Sequence, residues 1–302
     1  MDARVRRVGD QLFLVGGSND VLRLFDPVGF DALVSVVGWR ERLAAREAFF
    51  RGLGVPWCLL LAPEKLSVLG EEVGPGERFV SAVGHSALVN PLGFLREQLA
   101  KGYAVYPRTD SHWTPLGALC AFQWAMPFLG VTLDYSPYLD LAVHRLFYHG
   151  DLWSSAHADM APDGFERLAV PSAITRVFAN EIVLLKERLG LENEGGLHTG
   201  SHTVFRNTAA QRPERLVLFG SSFSDHRVEC SLLTFLAALF FREVHFVWST
   251  DLDLGLIERV RPDLVLLEMP ERFLPVCPGD GFDVAGHAAR VVRDYSSSSR
   301  SS

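Results

Sequence analysis

The sequence predicts an α/β fold, a three-layer α/β/α sandwich with a mostly parallel central sheet. Two observations lead to this prediction. Short, continuous apolar runs bounded by turn residues recur along the 302 residues, as expected of strands that are buried on both faces. Segments long enough for crossover helices lie between these runs, and right-handed crossovers would place helices on both sides of the sheet.

The predicted strands cover residues 57–62, 103–107, 215–219, 244–248 and 263–269. The predicted helices cover residues 31–51, 115–126, 173–188 and 227–241. No internal repeat and no linker interrupts this alternation, so we expect one domain over residues 1–290. The Ser-rich end, residues 291–302, is predicted to be a disordered tail.

The composition is that of a globular protein, with 48% hydrophobic and 22% charged residues. A net charge of -7 argues against nucleic acid or an anionic membrane surface as a partner. The longest apolar run, near residues 232–241, is too short to cross a bilayer, so no transmembrane segment is expected. The first residues lack a signal-peptide core, which predicts a cytoplasmic protein, or a periplasmic or extracellular one if this is a trimmed mature form.

Polar residues follow the ends of the predicted strands. In a parallel sheet the ligand crevice lies beyond the carboxyl ends of the strands. The segments at these ends are residues 63–65, 108–113, 220–225, 249–251 and 270–272, and most of them carry charged or nucleophilic groups. The sequence therefore predicts a functional site at this edge of the sheet.

The stretch "RLVLFGSSFSDH" runs from a predicted strand into a glycine-introduced turn. A serine at such a turn exposes its hydroxyl, and Ser222 is the predicted nucleophile. Its backbone N–H, together with the N-terminus of a helix predicted to open near Asp225, would face a developing oxyanion. A serine hydroxyl is a weak nucleophile at neutral pH, so a nearby base is also required.

The stretch "YPRTDSHWTPLGA" supplies a candidate base. Residues two apart in an extended segment face the same way, so Asp110 can hold Nδ1–H of His112 while Nε2 faces Ser222. Thr114 as N-cap and Pro115 in the first turn would begin the next helix. Each motif also has an ordinary structural interpretation, a connecting turn and a helix-entry hydrogen bond.

A metal site at Asp110 and His112 would need a third ligand, which the sequence does not identify. No metal and no cofactor are therefore predicted. "HTGSH" places His198 and His202 four residues apart, but its glycines predict a surface loop instead of a metal-binding helix. In "GHSALVN", His85 and Ser86 are adjacent, so in a strand their side chains would point to opposite faces.

These motifs resemble the SGNH-hydrolase superfamily, and within it the branch of alginate-type polysaccharide O-acetyltransferases. In that branch an Asp-x-His-Trp segment precedes the serine motif. Here "TDSHWTPLGA" looks like the aspartate-histidine signature, and "LFGSSFSD" looks like Gly-Asp-Ser-Phe-Ser, with Ser221 in place of the usual aspartate. Residues 62–65, 150–152 and 261–274 are more weakly similar. The resemblance implies a flavodoxin-like sheet, Ser222 as nucleophile, His112 as base and Asp110 as its orienting partner.

The expected activity is transfer of an acyl group, in particular O-acetyl, to or from a carbohydrate or glycosylated metabolite through an acyl-serine. The same residues would also suit a carbohydrate or small-ester esterase, because the two reactions differ only in whether water or a sugar hydroxyl reaches the acyl-enzyme. A non-catalytic glycan-binding or scaffold protein on this fold is the third interpretation. The acyl donor is left open between acetyl-CoA, for which no binding motif is found, and a protein-delivered acyl group.

The expected substrate-binding residues are Trp113, Arg272, Lys65 and Ser221. Trp113 could stack on a sugar ring or pack beneath the loop of His112. Arg272 could bind an anionic or sugar substrate, or form a salt bridge with Glu268 or Glu271. Asp151 and Trp153 are assigned to a lid or a substrate wall.

Overall fold

The computed structural model describes residues 4–17, 20–70 and 72–298. The β-strands are β1 (Val5–Val8), β2 (Gln11–Leu14), β3 (Trp57–Ala62), β4 (Leu88–Val89), β5 (Val143–Tyr148), β6 (Asp163–Leu168), β7 (Ile174–Ala179), β8 (His202–Asn207), β9 (Arg212–Gly220), β10 (Phe241–Trp248) and β11 (Leu264–Pro270). The α-helices are α1 (Val21–Phe25), α2 (Pro27–Leu33), α3 (Val36–Leu53), α4 (Lys65–Leu69), α5 (Pro75–Val83), α6 (Leu92–Ala100), α7 (Pro115–Ala125), α8 (Ser136–Leu139), α9 (Glu181–Leu189), α10 (Leu233–Phe240), α11 (Leu254–Val260) and α12 (Val284–Ser298). None of the described helices combines the length and the hydropathy needed to cross a membrane.

The central sheet is mixed, with the order β4-β3-β11-β9-β10-β8-β7. The pairs β4–β3, β3–β11, β11–β9 and β9–β10 are parallel. At the other end of the sheet, the pairs β10–β8 and β8–β7 are antiparallel. Two hairpins, β1–β2 and β5–β6, stand apart from this sheet. The predicted α/β/α sandwich with a mostly parallel sheet is confirmed, because helices flank this sheet on both faces.

The central strands contribute alternate side chains to two apolar cores. Leu60 of β3 and Leu266 of β11 pack in a cluster that includes residues of α7 and α10. Their neighbours Leu59 and Leu267 pack in a second cluster with residues of α3 and α5. Successive side chains of a strand point to opposite faces, so continuous apolar runs require a helical layer on each side.

The predicted strand at residues 103–107 is wrong, because this segment forms a loop. Its carbonyl groups bond outside any sheet: Val105 O accepts from Thr114 N at 3.0 Å, and Pro107 O accepts from Lys65 Nζ at 2.5 Å. Tyr106 also anchors the loop through a hydroxyl bond to Pro63 O at 2.5 Å. Val105 and Tyr106 are buried, whereas Tyr103 and Ala104 are exposed, and side-chain and turn partners replace strand neighbours.

The predicted helix at residues 173–188 is correct only in its second half. Its first half is β7, in which Ile174, Thr175 and Val177 are β-branched residues that favour extended backbone. Asn180 then caps α9, with its side chain accepting from Val183 N at 3.3 Å. The predicted helix at residues 31–51 is likewise interrupted, between α2 and α3.

The C-terminal helix α12 was not among the helices predicted from the sequence. Val284 and Ala288, one turn apart, are buried, and α12 packs against α9. The prediction of a disordered tail from residue 291 therefore differs from the structure up to residue 298, and residues 299–302 lie outside the described residues. The single domain over residues 1–290 stays a prediction.

Candidate functional site

The turn after β9 presents Ser222 at the carboxyl edge of the sheet. A Cβ on Gly220 would lie 2.4 Å from Ser224 Oγ and 2.9 Å from Glu268 Oε2, so only glycine fits this turn. Ser222 itself is partly exposed. Its backbone N–H makes no hydrogen bond to another described residue, so it is available to an oxyanion.

No helix N-terminus lies directly behind Ser222, contrary to the prediction. Asp225 has a positive φ of 47°, and its carboxylate accepts from Arg227 N at 2.9 Å, which turns the chain away from a helical path. Helix α10 begins only at Leu233. The predicted helix over residues 227–241 is therefore wrong in its first turns, and its dipole does not contribute at the serine.

The structure brings Ser222, His112 and Asp110 into one hydrogen-bonded chain. His112 Nε2 lies 2.7 Å from Ser222 Oγ, and His112 Nδ1 lies 2.9 Å from Asp110 Oδ1. Asp110 Oδ1 also accepts from His112 N at 2.8 Å, which fixes the imidazole relative to the backbone. The second oxygen, Oδ2, accepts from the hydroxyl of Tyr148 at 3.1 Å, a partner that the sequence did not reveal.

The pKa values of this pair follow from their contact. Burial by itself lowers the pKa of His112, but the hydrogen bond and the charge of Asp110 outweigh burial and raise it to about 9. Burial would raise the pKa of Asp110, yet the hydrogen bond from His112 and its charge hold that pKa well below its usual range. Asp110 is therefore a carboxylate that stabilises the protonated imidazole.

The loop that carries His112 leaves through a capped helix, as predicted. Helix α7 begins at Pro115, and Thr114 Oγ1 accepts from Gly117 N at 3.0 Å. The cap fixes the backbone two residues after His112. Local sequence chemistry alone determines this part of the site.

Lys65 is buried and donates hydrogen bonds to the loop that carries His112, so it does not face a substrate. Its ammonium donates to Pro107 O at 2.5 Å and to Arg108 O at 2.7 Å, and the residue is 2% exposed. Burial lowers its pKa to about 8, although nearby carboxylates oppose the shift. The predicted substrate contact is corrected to a buried cation that bonds two loop carbonyls.

Gly150 and Asp151, in the connection between β5 and β6, form hydrogen bonds to the loop that carries His112. Asp151 accepts from Ser111 N at 2.7 Å and from Ser111 Oγ at 2.6 Å, and Gly150 N donates to Thr109 Oγ1 at 2.8 Å. A Cβ on Gly150 would lie 2.5 Å from Asp110 Cβ, so the hairpin can approach only through a glycine. Asp151 thus stabilises the loop that carries His112. In the sequence, the weak motif similarity at residues 150–152 was the feature that pointed to this segment.

Trp113 is a packing residue, which was one of its two predicted roles. It is 1% exposed, and its ring meets the Phe223 ring edge-to-face at 4.8 Å. Phe223 also contacts His112, at 5.2 Å between ring centroids. The two aromatic residues support the imidazole from beneath, and Trp113 presents no face on which a sugar could stack.

Ser221 is bonded inward, to a carboxyl group on the neighbouring strand. Glu268 of β11 accepts from Ser221 N at 2.7 Å, from Ser221 Oγ at 2.8 Å and from Ser224 Oγ at 2.8 Å. Ser221 is 2% exposed, so the predicted substrate contact is corrected. Glu268 thus places a carboxyl group against this turn from the neighbouring strand.

Arg272 forms a salt bridge, but with neither of the expected partners. Its Nη1 donates to Glu64 Oε1 at 2.9 Å, and both side chains are at least nine-tenths buried. Glu268 and Glu271 are engaged by serine hydroxyls and backbone N–H groups. The guanidinium lies 5.4 Å from the centroid of the Phe223 ring, so Arg272 supports the site from within.

The structure supplies the third metal-ligand candidate that the sequence lacked. Asp110, His112 and Asp151 offer ligand atoms that all lie within 4.8 Å of one another. Each group already has a protein partner: His112 Nδ1 bonds Asp110, and both oxygens of Asp151 bond Ser111. A cation between the carboxylates would have to displace these bonds, so the donor set fits a hydrogen-bonded loop better than a metal centre.

A cleft of about 400 Å³ opens beside Ser222, between the ends of β9 and β10. His198 lines it, in the loop that the glycines of "HTGSH" predicted. Gly200 N donates to Trp248 O at 2.9 Å, and Trp248 N donates to Ser201 O at 2.9 Å, which fastens the segment to the sheet. His198 and His202 do not share a site, because His202 instead faces His245 at 3.3 Å.

Solved structures with the same fold support this architecture. The O-acetyltransferase domain of AlgJ from Pseudomonas putida has a TM-score of 0.55 and 18% identity, over 95% of this chain and 98% of that one. PatB1 from Bacillus cereus, solved with a sulfonyl adduct, has a TM-score of 0.60 and 15% identity, over 89% and 95%. A DHHW family protein from Eubacterium siraeum has a TM-score of 0.59 and 13% identity, over 95% and 94%.

At this level of identity the comparison establishes a shared fold. No protein-family model and no curated protein matches the chain. One of these neighbours is an O-acetyltransferase domain. The role of each residue is therefore inferred from the distances and contacts within this site.

Proposed function

We propose that the protein is a serine-dependent O-acyltransferase that transfers an acetyl-like group to a carbohydrate hydroxyl through an acyl-Ser222 intermediate. The observation that carries this proposal is the hydrogen-bonded chain of Ser222, His112 and Asp110. Its two distances, 2.7 Å and 2.9 Å, are those of a nucleophile, a base and an orienting acid in working contact.

The chemistry proceeds in two balanced steps. Ser222 Oγ attacks the carbonyl carbon of the donor, its proton passes to His112 Nε2, and the bond to the donor's leaving group breaks. The leaving group, an alkoxide from an ester or a thiolate from a thioester such as acetyl-CoA, departs with that proton. An acceptor hydroxyl then attacks the acyl-Ser222 carbonyl and gives its proton to His112. The bond to Oγ breaks, and Ser222 recovers the proton. Asp110 stabilises the imidazolium in both steps, and Ser222 N–H donates to the tetrahedral oxyanion.

The acyl group and the acceptor class are inferred from the fold neighbours and the motifs. One neighbour is an O-acetyltransferase domain, which supports acetyl as the group that is carried. The donor is either acetyl-CoA or an acyl group delivered by a protein. An esterase would use the same residues and would pass the acyl group to water.

Incubation with p-nitrophenyl acetate, with and without acceptor sugars, tests the proposal. We expect a burst of p-nitrophenol close to one per protein, and acetylated sugar in excess of free acetate when the acceptor is present. Ser222→Ala should reduce the acylation rate by about 10⁴-fold or more, whereas the exposed-serine control Ser86→Ala should leave it unchanged. Release of acetate alone would indicate an esterase, and no burst from folded protein would indicate a non-catalytic protein.

A further inference from the structure

The cleft beside Ser222 combines aromatic rings with few charged groups. Trp248, Phe273 and Phe282 contribute rings to its wall, and the hydroxyl-bearing residues Thr199 and Thr250 lie between them. Such a mixture suits a sugar, whose ring has apolar C–H faces and whose rim carries hydroxyl groups. The charged groups in the wall of the cleft determine whether a neutral or a charged sugar would bind there.

Asp251 is the one acidic side chain in the wall of the cleft, among the residues that the structure describes. No lysine or arginine lines it within those same residues. Asp251 Oδ1 accepts from Gly279 N at 2.5 Å and from Asp280 N at 3.0 Å, so the carboxylate is held in place by backbone. Its Oδ2 has no hydrogen-bond partner within the described part of the chain, which leaves it free to accept from a ligand hydroxyl.

The imidazole of His198 contributes a neutral hydrogen-bond donor to the wall of the cleft. Its ring stacks on Trp248 with centroids 4.3 Å apart and an interplanar angle of 7°. The buried Lys186 ammonium lies 3.0 Å from His198 Nδ1. An ammonium can only donate, so Nδ1 accepts and Nε2 carries the hydrogen.

The charge state of His198 follows from the same neighbours. Burial first, and then the adjacent Lys186 charge, lower the pKa of His198 to about 4. The imidazole therefore remains neutral at physiological pH. The nearby cations are buried or paired with carboxylates. Lys186 is buried behind His198, and Arg272 is paired with Glu64. Arg46, which donates to Thr250 O, is paired with Asp280, and His112 is paired with Asp110.

We infer that this cleft binds the acyl acceptor as an uncharged carbohydrate, whose hydroxyl donates to Asp251 while an oxygen accepts from His198 Nε2–H. This inference rests on the proposed function for its role in transfer, but the binding itself does not require chemistry. A uronate or phosphate group would meet the Asp251 carboxylate without an unpaired cation in the cleft wall to balance it, which opposes binding. The acceptor class thus differs from the acidic polysaccharide that the alginate-type resemblance would suggest.

The test compares two acceptors that differ at C6 alone, by titration calorimetry without any acyl donor. β-1,4-linked mannotetraose carries hydroxymethyl groups there, and tetramannuronate carries carboxylates. We expect mannotetraose to bind about tenfold or more tightly than tetramannuronate, a difference of about one order in Kd. Asp251→Asn should narrow this ratio, and the exposed control Asp140→Asn should not.

Equal or tighter binding of tetramannuronate, no measurable binding of either sugar, or an unchanged ratio in Asp251→Asn would overturn the inference. Because no donor is present, these outcomes are independent of acylation. A protein that binds mannotetraose selectively but gives no p-nitrophenol burst would refute the proposed function and support the binding site. A protein that gives the burst but binds neither sugar would do the reverse.

Discussion

His112 Nε2 lies 2.7 Å from Ser222 Oγ, although 110 residues separate the two along the chain. The parallel sheet explains this contact. Ser222 follows the end of β9, and the loop of His112 crosses the same edge before α7 begins. Lys65, Asp151 and the Trp113–Phe223 pair then hold that loop, so the imidazole is positioned by buried contacts and not by the substrate.

The pH dependence of acylation should report the His112–Asp110 contact. The base acts as neutral imidazole, and Asp110 raises the pKa of His112 to about 9, against the opposing effect of burial. The rate of the p-nitrophenol burst should therefore rise with pH, with a midpoint above the ordinary histidine value of 6.5. Stopped-flow measurement of the burst between pH 5 and pH 10 gives this midpoint.

Asp110→Asn should move that midpoint down, because it removes the charge that stabilises the imidazolium. It should also lower the burst rate by about 10⁴-fold, since the amide no longer favours the productive tautomer. Asp140→Asn serves as the control for the substitution itself. A midpoint that stays in place in folded Asp110→Asn protein would show that the contact does not govern catalysis.

Ser221→Asp should destabilise the protein, although it restores the aspartate that is usual in the resembling motif. Glu268 already places a carboxyl group against Ser221 N and Oγ, at 2.7 Å and 2.8 Å. A second buried carboxylate without a partner should lower the free energy of unfolding by about 3 kcal/mol or more, as urea denaturation would measure.

The uncharged control at this position is Ser221→Asn, which has nearly the same shape as the aspartate and should destabilise less. Adding Glu268→Gln to Ser221→Asp should recover much of the loss, because an amide can donate to the new carboxylate. Equal stability of the Asp and Asn variants would contradict the assignment of Glu268 as the carboxyl group of this turn.

Gly150→Ala should displace the loop of the candidate base. The added Cβ would lie 2.5 Å from both Asp110 Cβ and Thr109 O, whereas at Gly164, in the same hairpin, it would meet only a Phe147 ring atom at 3.6 Å. We expect a drop in acylation rate of about a hundredfold for Gly150→Ala, and little change for the Gly164→Ala control. Equal rates in the two variants would show that the hairpin does not position Asp110.

Removal of metal should leave acylation unchanged. Asp110, His112 and Asp151 could geometrically hold a cation, but their hydrogen bonds to one another and to Ser111 would have to break first. Dialysis against EDTA, followed by measurement of the burst rate, tests this. A loss of activity that added Zn²⁺ or Mn²⁺ restores would instead identify a metal centre.

The sequence was sufficient where the pattern is local. Continuous apolar runs located the four central strands β3, β9, β10 and β11, and the cap at Thr114 located the start of α7. The serine motif follows the end of β9, as predicted, whereas the motif of Asp110 and His112 follows a loop in place of the predicted strand.

The sequence was not sufficient where a role depends on tertiary partners. Lys65 was taken for a substrate contact because an exposed and a buried lysine look alike in a sequence, and its two carbonyl partners lie more than 40 residues away. Arg272 pairs with Glu64 across a separation of 208 residues, while two nearer glutamates were expected. Glycines around His198 suggested a loose loop, yet the strand contact of Gly200 fixes it beside the cleft.

Intact-mass spectrometry of the protein after exposure to an activated acetyl ester would detect the acyl-Ser222 intermediate itself. We predict one added acetyl group per chain, mapped by peptide analysis to Ser222 and absent from Ser222→Ala protein. Folded wild-type protein that gains no acetyl group, or that carries it on a different residue, would contradict the acyl-Ser222 intermediate.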